Sequence, residues 1–285
     1  VLPAKNEAGA IGRVVAELVQ RHPGAEVLVV NDGSTDDTAA VATQAGARVV
    51  SHRYSMGNGA AIKTGARHAQ GEVLVFMDAD GQHHPADVAR LLDTLCQGFD
   101  MVVGARGKGS QASVGRGLAN RFYNRLATYM AGHRIQDLTS GFRAVRAHKF
   151  KEFLYLLPNG FSYPTTSTMA FFRAGYAVGY IPIDAAQRVG KSHIRLVKDG
   201  VRFLLIIFKI GTLYSPLKLF GPVALLQFMA GAAWYGYTLG TTGRFTNMSA
   251  MLFSGALLVF LMGLISEQIT ALMYKDSHSQ DGVDA

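Results

Sequence analysis

Glu72-Val73-Leu74-Val75-Phe76-Met77-Asp78-Ala79-Asp80-Gly81-Gln82 reads as a strand that runs into an acidic turn. The apolar run from Val73 to Met77 is rich in Val and Phe, the pattern of a strand covered on both faces. Residues at i and i+2 of an extended chain share a face, so Asp78 and Asp80 can converge on one hard cation. Carboxylates at the end of a buried strand are costly, and a divalent ion carrying phosphate would offset that cost. The plainer alternative is that one Asp caps the next helix and the other is solvated in a loop. His83 and His84 follow, have no metal-like spacing to other ligands, and read as loop residues.

Working outward, strands and helices alternate. Val1-Leu2 is a first strand, Asn6-Glu7 opens a helix to Arg21, and Val27 to Val30 is a second strand closed by Asn31-Asp32-Gly33-Ser34-Thr35-Asp36. Ser34 or Thr35 is expected to cap a helix to Ala45. Val49-Val50 is a third strand, Gly59 to Ala69 a helix, and Met101 to Ala105 a strand ending in the cation Arg106. Such alternation implies an α/β fold, a parallel sheet with helices on both faces. Ligands of these sheets bind beyond the carboxyl ends of the strands. Pro3–Glu7, Asp32–Asp36 and Asp78–Gln82 are therefore expected in one crevice. Asp32 would accept from a base N–H or a ribose hydroxyl, or else cap the following helix.

The chain has 285 residues, 49% of them hydrophobic and only 17% charged, with net charge +8. Much of the positive excess lies between Arg106 and Arg202, which suits an anionic partner: nucleotide, phospholipid headgroup or nucleic acid. The single cysteine, Cys96, excludes an internal disulfide and a cysteine-rich metal site. No secretory signal opens the chain, and Val1 already lies in a strand, so a few residues are expected before it.

The last third differs in composition. Ile194 to Leu213 sets Arg195, Lys198, Arg202 and Lys209 at helical spacing around an apolar run too short to span a bilayer, as in an interfacial helix. Leu219 to Gly243 and Phe245 to Ser266 carry no charge, and each exceeds the ~20 residues a spanning helix needs. A short turn containing Arg244 joins them into a hairpin. Lys209, Lys218 and Lys275 flank its open end, which the positive-inside rule makes cytoplasmic. Glu267, near that end, is expected either to pair with a basic group of the interfacial helix or to snorkel to the headgroups. The tail from Asp276 is polar and reads as disordered.

Pro3-Ala4-Lys5-Asn6-Glu7, Val30-Asn31-Asp32-Gly33-Ser34-Thr35-Asp36 and Asp78-Ala79-Asp80-Gly81-Gln82 together resemble the signature of inverting family 2 glycosyltransferases with the GT-A fold. Asp137-Leu138-Thr139-Ser140-Gly141-Phe142-Arg143 and the apolar tail are similar to the branch of dolichyl-phosphate mannose synthase and the bacterial polyprenyl-phosphate sugar transferases. The resemblance covers roughly residues 1–195. It implies that Pro3, Glu7 and Asp32 hold the nucleoside, and that Asp78, Asp80 and Gln82 bind Mg²⁺ or Mn²⁺ on the donor diphosphate beside Ala79. Arg106 and Arg121 would meet the acceptor phosphate, with Asp137 nearby; Asp80, Asp137 and Arg106 form the implied catalytic set. A phosphate acceptor is already ionised at neutral pH, so no strong general base is needed. Asp137 could equally cap a turn with Thr139 and Ser140.

One segment departs from the family pattern Arg-x-x-Gly-x-Ser-Lys. Here it reads Gln187-Arg188-Val189-Gly190-Lys191-Ser192-His193, which puts Gln187 and His193 in the cationic slots. Arg188, Lys191 and His193 are kept as a group on the donor diphosphate.

These readings predict a GT-A catalytic domain over 1–193, an amphipathic interfacial helix over 194–215, a transmembrane hairpin over 216–275 (spans near 219–240 and 247–270) and a polar tail over 276–285. The expected enzyme is a multi-pass protein of the cell membrane, with its catalytic domain on the cytoplasmic face. It would move a hexose or related sugar from a GDP- or UDP-linked donor to undecaprenyl or dolichyl phosphate, with inversion, and bind no nucleic acid. The alternatives are another lipid or polysaccharide acceptor, a catalytically silent membrane scaffold, or a nucleotidyltransferase. The intact acidic pair speaks against the scaffold. The lack of a Gly-rich, Lys-bearing loop after the first strand speaks against the nucleotidyltransferase, and the lack of Gln-x-x-Arg-Trp against a processive synthase.

Overall fold

The computed structural model describes residues 1–107, 114–160, 163–184 and 212–278, with the side chains of all but 114–120 and 273–278. The chain divides into two compact units, Val1–His193 and Ile194–Ala285. In the first unit β1 (Leu2–Ala4), β2 (Leu28–Asn31) and β3 (Arg48–Ser51) pair in parallel. A second sheet holds β4 (Val73–Phe76), β5 (Met101–Arg106), β6 (Arg143–Arg146) and β7 (Val178–Ile183), in the order β4-β6-β5-β7. The Val1 nitrogen donates to the Val75 carbonyl at 2.7 Å and the Met77 N–H to the Val1 carbonyl at 3.2 Å, so β1 runs beside β4 and the sheets continue into one another.

Helices α1 (Ala8–Arg21), α2 (Thr38–Gln44), α3 (Asn58–His68), α4 (Asp87–Leu95), α5 (Val114–Ala131), α6 (Ala147–Glu152) and α7 (Tyr163–Arg173) connect the strands. Helix α1 buries Ile11, Val14, Val15 and Leu18, the i, i+3, i+4, i+7 stripe of an amphipathic helix. With Val88, Leu91 and Leu95 of α4, that stripe packs on Leu2, Ala4, Val29, Val102 and Ile181. Each fully buried Ile or Leu contributes about 1.5–3 kcal/mol. On the opposite face α3 lies so close that a Cβ at Gly65 would strike the side chains of Val1 and Val30. Helices therefore cover both faces of a mostly parallel sheet, as the strand–helix alternation predicts.

Strand β6 is the exception, antiparallel to both β4 and β5. Its direction matters for function. Arg143, the first residue of β6, pairs with Phe76, the last of β4. The Asp137–Phe142 segment that leads into β6 is thereby delivered to the carboxyl edge where β4 and β5 end.

The start of α2 corrects an expectation. The helix begins at Thr38, and neither Ser34 nor Thr35 caps it. Asp36 instead accepts from the Thr38 N–H at 3.1 Å. Ser34 and Thr35 are occupied across the crevice by Asn6, as described below.

In the second unit α8 (Pro216–Thr242) and α9 (Asn247–His278) form a helical hairpin. Gly243 closes α8 at φ 63°, its N–H donating to the Leu239 carbonyl at 3.1 Å. Ala224, Gly231 and Thr238 of α8 and Ser249, Ala256, Gly263 and Thr270 of α9 are buried. Each set recurs every seventh residue and is small, which lets two helices approach closely along one seam. Leu225, Leu226, Met229, Leu257, Leu258 and Ile265 face outward and are exposed. A buried core helix would hide such residues; a bilayer accommodates them. Both helices are long and apolar enough to cross a membrane, over Pro216–Thr242 and Asn247–Leu272. The Glu267 carboxylate accepts from the Leu217 N–H at 3.3 Å, at the free N-terminal turn of α8. The expected interfacial helix from Ile194 lies almost wholly outside the described residues, as does the end of the polar tail.

Candidate active site

The first two motifs are stitched together. Asn6, at φ 57°, donates its N–H to Ser34 Oγ at 3.0 Å and accepts the Thr35 N–H at Oδ1 at 2.9 Å. The Glu7 N–H donates to Thr38 Oγ1 at 2.9 Å and the Ala8 N–H to Asp36 Oδ2 at 3.3 Å. Pro3 sits in β1 opposite Val30. The crevice wall predicted from Pro3–Glu7 and Asp32–Asp36 is thus a single bonded rim.

Asp32 directly follows β2 and is buried. Its Oδ1 accepts from the Met56 N–H at 2.7 Å and lies 2.8 Å from His52 Nδ1; its Oδ2 accepts from Ser55 Oγ at 2.8 Å and the Gly57 N–H at 2.9 Å. These partners fill the roughly four lone-pair positions of a carboxylate. Burial works against ionisation here, but the hydrogen bonds from His52, Met56, Gly57 and Ser55 more than offset it, so the carboxyl is held below its ordinary range. His52 is itself fixed, its Nε2 lying 2.8 Å from Thr64 Oγ1 of α3. The loop folds over Gly33, where a Cβ would stand 2.6 Å from the backbone of Tyr54 and Ser55 and where φ is +63°. Asp32 caps no helix; it anchors the loop from Ser55 to Gly57, and Lys5 adds a bond to Ser55 Oγ at 3.0 Å.

The third motif is less engaged. Ala79 turns into the core, while Asp78 and Asp80 are only partly covered. Asp80 accepts from Gln82 twice, from the N–H at 3.0 Å and the side-chain amide at 2.7 Å, around Gly81 at φ +75°. Asp78 accepts no hydrogen bond among the described residues. Its Oδ2 lies 3.8 Å from His83 Nε2. The residue facing it is Gly141, where a Cβ would lie 3.4 and 3.5 Å from the two carboxylate oxygens and 3.0 Å from the Tyr163 hydroxyl. No cluster of three or more His, Cys, Asp or Glu side chains is placed to hold a metal among the described residues. Asp78, Asp80 and the Gln82 carbonyl do offer the hard oxygen donors that suit Mg²⁺ or Mn²⁺ when a substrate diphosphate and water complete the shell.

Arg106 and Asp137, expected as separate functional groups, pair with each other. Nε and Nη2 of Arg106 donate to the Asp137 carboxylate at 2.8 and 3.0 Å, and Nη2 also to Thr139 Oγ1 at 2.5 Å. Nη1 takes part in none of these bonds. The Thr139 N–H donates to Asp137 Oδ1 at 3.0 Å, so Asp137 also caps the turn it opens. Burial disfavours the charge on both partners, and the pairing overrides it: the Asp137 carboxyl is held down and the Arg106 guanidinium up. The fork is a fixed bidentate pair at the edge of the crevice. Arg121 is different: it is exposed on α5 and makes no ion pair among the described residues. Arg188, Lys191 and His193 lie outside the described residues.

Several contributors were not read from the sequence. Arg143 is fully buried yet pairs with no carboxylate among the described residues; it donates to Pro164 O at 3.0 Å, Ser167 Oγ at 2.8 Å, Thr168 Oγ1 at 3.0 Å and Ser140 O at 2.5 Å. It thereby clamps the Asp137 motif to the first turns of α7. Tyr163 reinforces the clamp through a bond to Gly141 O at 2.9 Å. His83 does lie in the loop between β4 and α4, but its ring is buried and stacks on Phe142, with ring centroids 5.0 Å apart at 14°. His84 beside it lies in the same loop, as expected, and is exposed. The one available signal for the Asp32 loop was the glycine pair in Ser55-Met56-Gly57-Asn58-Gly59, which marks a tight turn.

The mostly parallel sheet, its crevice and its acidic loop have the architecture of the GT-A fold, and comparison with known proteins agrees. Residues 1–154 match the model of glycosyl transferase family 2, more than half of the chain, and residues 215–272 match that of the GtrB C-terminal hairpin. The chain belongs to glycosyl transferase family 2 and is a glycosyltransferase. It is 29% identical to glycosyltransferase AglJ of Haloferax volcanii over 95% of this chain and 92% of that one. It is 30% identical to polyprenol monophosphomannose synthase of Mycolicibacterium smegmatis over 66% of this chain and 77% of that one. Among solved structures, glucosyl-3-phosphoglycerate synthase of Mycobacterium tuberculosis, in complex with Mn²⁺, UDP-glucose and phosphoglyceric acid, superposes with a TM-score of 0.59 at 25% identity, covering 74% of this chain and 77% of that one.

Proposed function

We propose that this enzyme transfers a sugar from a GDP- or UDP-linked donor to a polyprenyl phosphate, undecaprenyl or dolichyl, with inversion at the anomeric carbon. One observation carries the reading: a single chain joins a family 2 catalytic unit, its acidic loop open at the carboxyl edge, to a hairpin of membrane-spanning length. The names of its relatives, a polyprenol monophosphomannose synthase and a dolichyl-phosphate hexose transferase, support a lipid phosphate as acceptor.

In this reading the nucleoside lies against the rim of Pro3 and Glu7 and the loop that Asp32 holds. Asp78, Asp80 and Gln82 hold a divalent ion on the diphosphate, as the Mn²⁺ and UDP of the structural neighbour suggest. Such an ion supplies Lewis-acid stabilisation of the charge that grows on the departing nucleotide. Arg188, Lys191 and His193 add charge on the same diphosphate. Arg121, and the Nη1 edge of Arg106, receive the acceptor phosphate, whose ionised oxygen attacks opposite the leaving group. The Asp137 carboxylate orients Arg106 for this task. The hairpin keeps the enzyme where its acceptor is. Lys218 and Lys275 at the open end of the hairpin favour the cytoplasmic side for the catalytic unit.

The test is direct. Membranes containing the enzyme are incubated with labelled GDP- and UDP-sugars and with undecaprenyl or dolichyl phosphate. A labelled lipid phosphate sugar of inverted configuration is expected. Retained configuration, or transfer only to water-soluble acceptors, would contradict the reading.

A further inference from the structure

His83 lies in a polar turn, yet it is 7% exposed, and its Nδ1 is buried without a hydrogen-bond partner among the described residues. Stacking on Phe142 gives the ring apolar contact but satisfies neither nitrogen. A neutral imidazole carries one N–H and one bare nitrogen, and the partner of one decides the state of the other. A proton on Nδ1 would bury an N–H with no acceptor. A proton on Nε2 faces the Asp78 carboxylate instead, 3.8 Å away. That is an ion-pair separation, longer than the roughly 2.7–3.2 Å of a hydrogen bond. The Asp78 side chain, 41% exposed and otherwise unbonded among the described residues, has room to turn and close it.

We propose that His83 is a positioning residue for Asp78: its Nε2–H takes Oδ2 and leaves Oδ1 directed at the divalent ion. The proposal rests on the reading that Asp78 binds that ion. The support behind the ring is rigid. Phe142 belongs to the segment that Arg143 ties to α7 through Ser140 O and that Tyr163 ties through Gly141 O. Phe142 carries His83, and His83 steers Asp78. The third motif of the site is in this way aligned by the fourth. A metal-binding carboxylate held by a neighbouring donor is a common arrangement, and removal of such a donor typically costs about 10–100-fold in metal affinity.

The experiment is a Mn²⁺ titration followed by electron paramagnetic resonance on the full chain in lipid nanodiscs, in parallel series with UDP and with GDP. His83→Phe keeps the stack and removes the N–H; His83→Leu serves the same purpose where Phe is not accommodated. His83→Gln loses the stack but can return an N–H near the Nε2 position. Both apolar variants are expected to bind Mn²⁺ about 10-fold or more weakly, and Gln to recover most of the loss. A packing role would give the opposite order, with Phe the mildest change. Native affinity in His83→Phe, with Asp80→Asn defective, would overturn the role of His83 and leave the metal site standing. No Mn²⁺ bound by the unaltered chain would overturn the metal reading and this inference together.

Discussion

Asp32 and Asp78 look alike in sequence: each closes an apolar strand, and each is followed by a glycine-containing turn. Their strands flank β1 on either side, yet the two carboxylates are used in opposite ways. The Asp32 side chain is 6% exposed and fully engaged by the loop from His52 to Gly57, whereas that of Asp78 is 41% exposed and accepts nothing among the described residues. The same contrast recurs between the cations, with Arg106 locked to Asp137 and Arg121, on the surface of α5, in no ion pair among the described residues. Groups whose bonds are complete build the crevice. Groups with unspent capacity are the ones left to meet a ligand.

The largest effect is expected at the acidic loop that would carry the metal ion. Asp80→Asn removes a charge from the diphosphate site and should lower the transfer rate by about 100- to 1,000-fold, the scale of several kcal/mol of transition-state stabilisation. Thermal stability should hardly change, because among the described residues Asp80 bonds only to its own turn. Excess EDTA should abolish transfer, and added Mn²⁺ or Mg²⁺ should restore it. Full activity in EDTA would break the comparison at its catalytic end.

The two arginines give the next test. Arg121→Ala deletes an exposed cation, and a charge-assisted contact is worth roughly 1.5–3 kcal/mol, so use of a short-chain prenyl phosphate should weaken by about 10- to 100-fold. Donor affinity should change much less. Collapse of donor binding with normal acceptor dependence would move Arg121 to the diphosphate. Arg106→Ala should act differently, lowering stability as well, since it strands the buried Asp137 carboxylate without its partner.

Much of this fold was legible because apolar runs such as Val27–Val30 and Val73–Met77 announce strands without help from the rest of the chain. The common edge of the three motifs followed from the parallel topology alone. What the sequence did not disclose depends on partners far along the chain. Asp32 is satisfied by Ser55, Met56 and Gly57, and Ser34 by Asn6, 28 positions away; local capping rules pointed Ser34 at α2 instead. Burial of Arg143 needed the first turns of α7, and burial of His83 needed Phe142 across β6. The antiparallel course of β6 set both, and its four residues, Arg143 to Arg146, begin and end in arginine, which hides a strand paired on both sides.

The smallest effect is a difference in acid sensitivity between the two aspartates. Asp32 has its carboxyl depressed in the folded state against an unfolded value of about 3.9. A depressed carboxyl contributes stability that is fully present above the unfolded value and is lost as pH falls through the folded one. The loop anchored by Asp32 should therefore loosen only on the acid side of about pH 4, and the Met56 and Gly57 amides, which donate to it, should report the change. Hydrogen exchange at these amides, corrected for the intrinsic rate, is expected to stay slow from neutral pH to about pH 4 and to rise below it. Asp32→Asn should exchange faster at neutral pH, by a loss of about 1–3 kcal/mol of local stability, and its acid limb should flatten because the titrating group is gone. Asp78→Asn should leave both the neutral rate and the acid limb as they are, since Asp78 holds no part of this loop. An equal response in the two variants would mean that the open and the engaged carboxylate are not energetically distinct, and the division of labour across the crevice would fail with it.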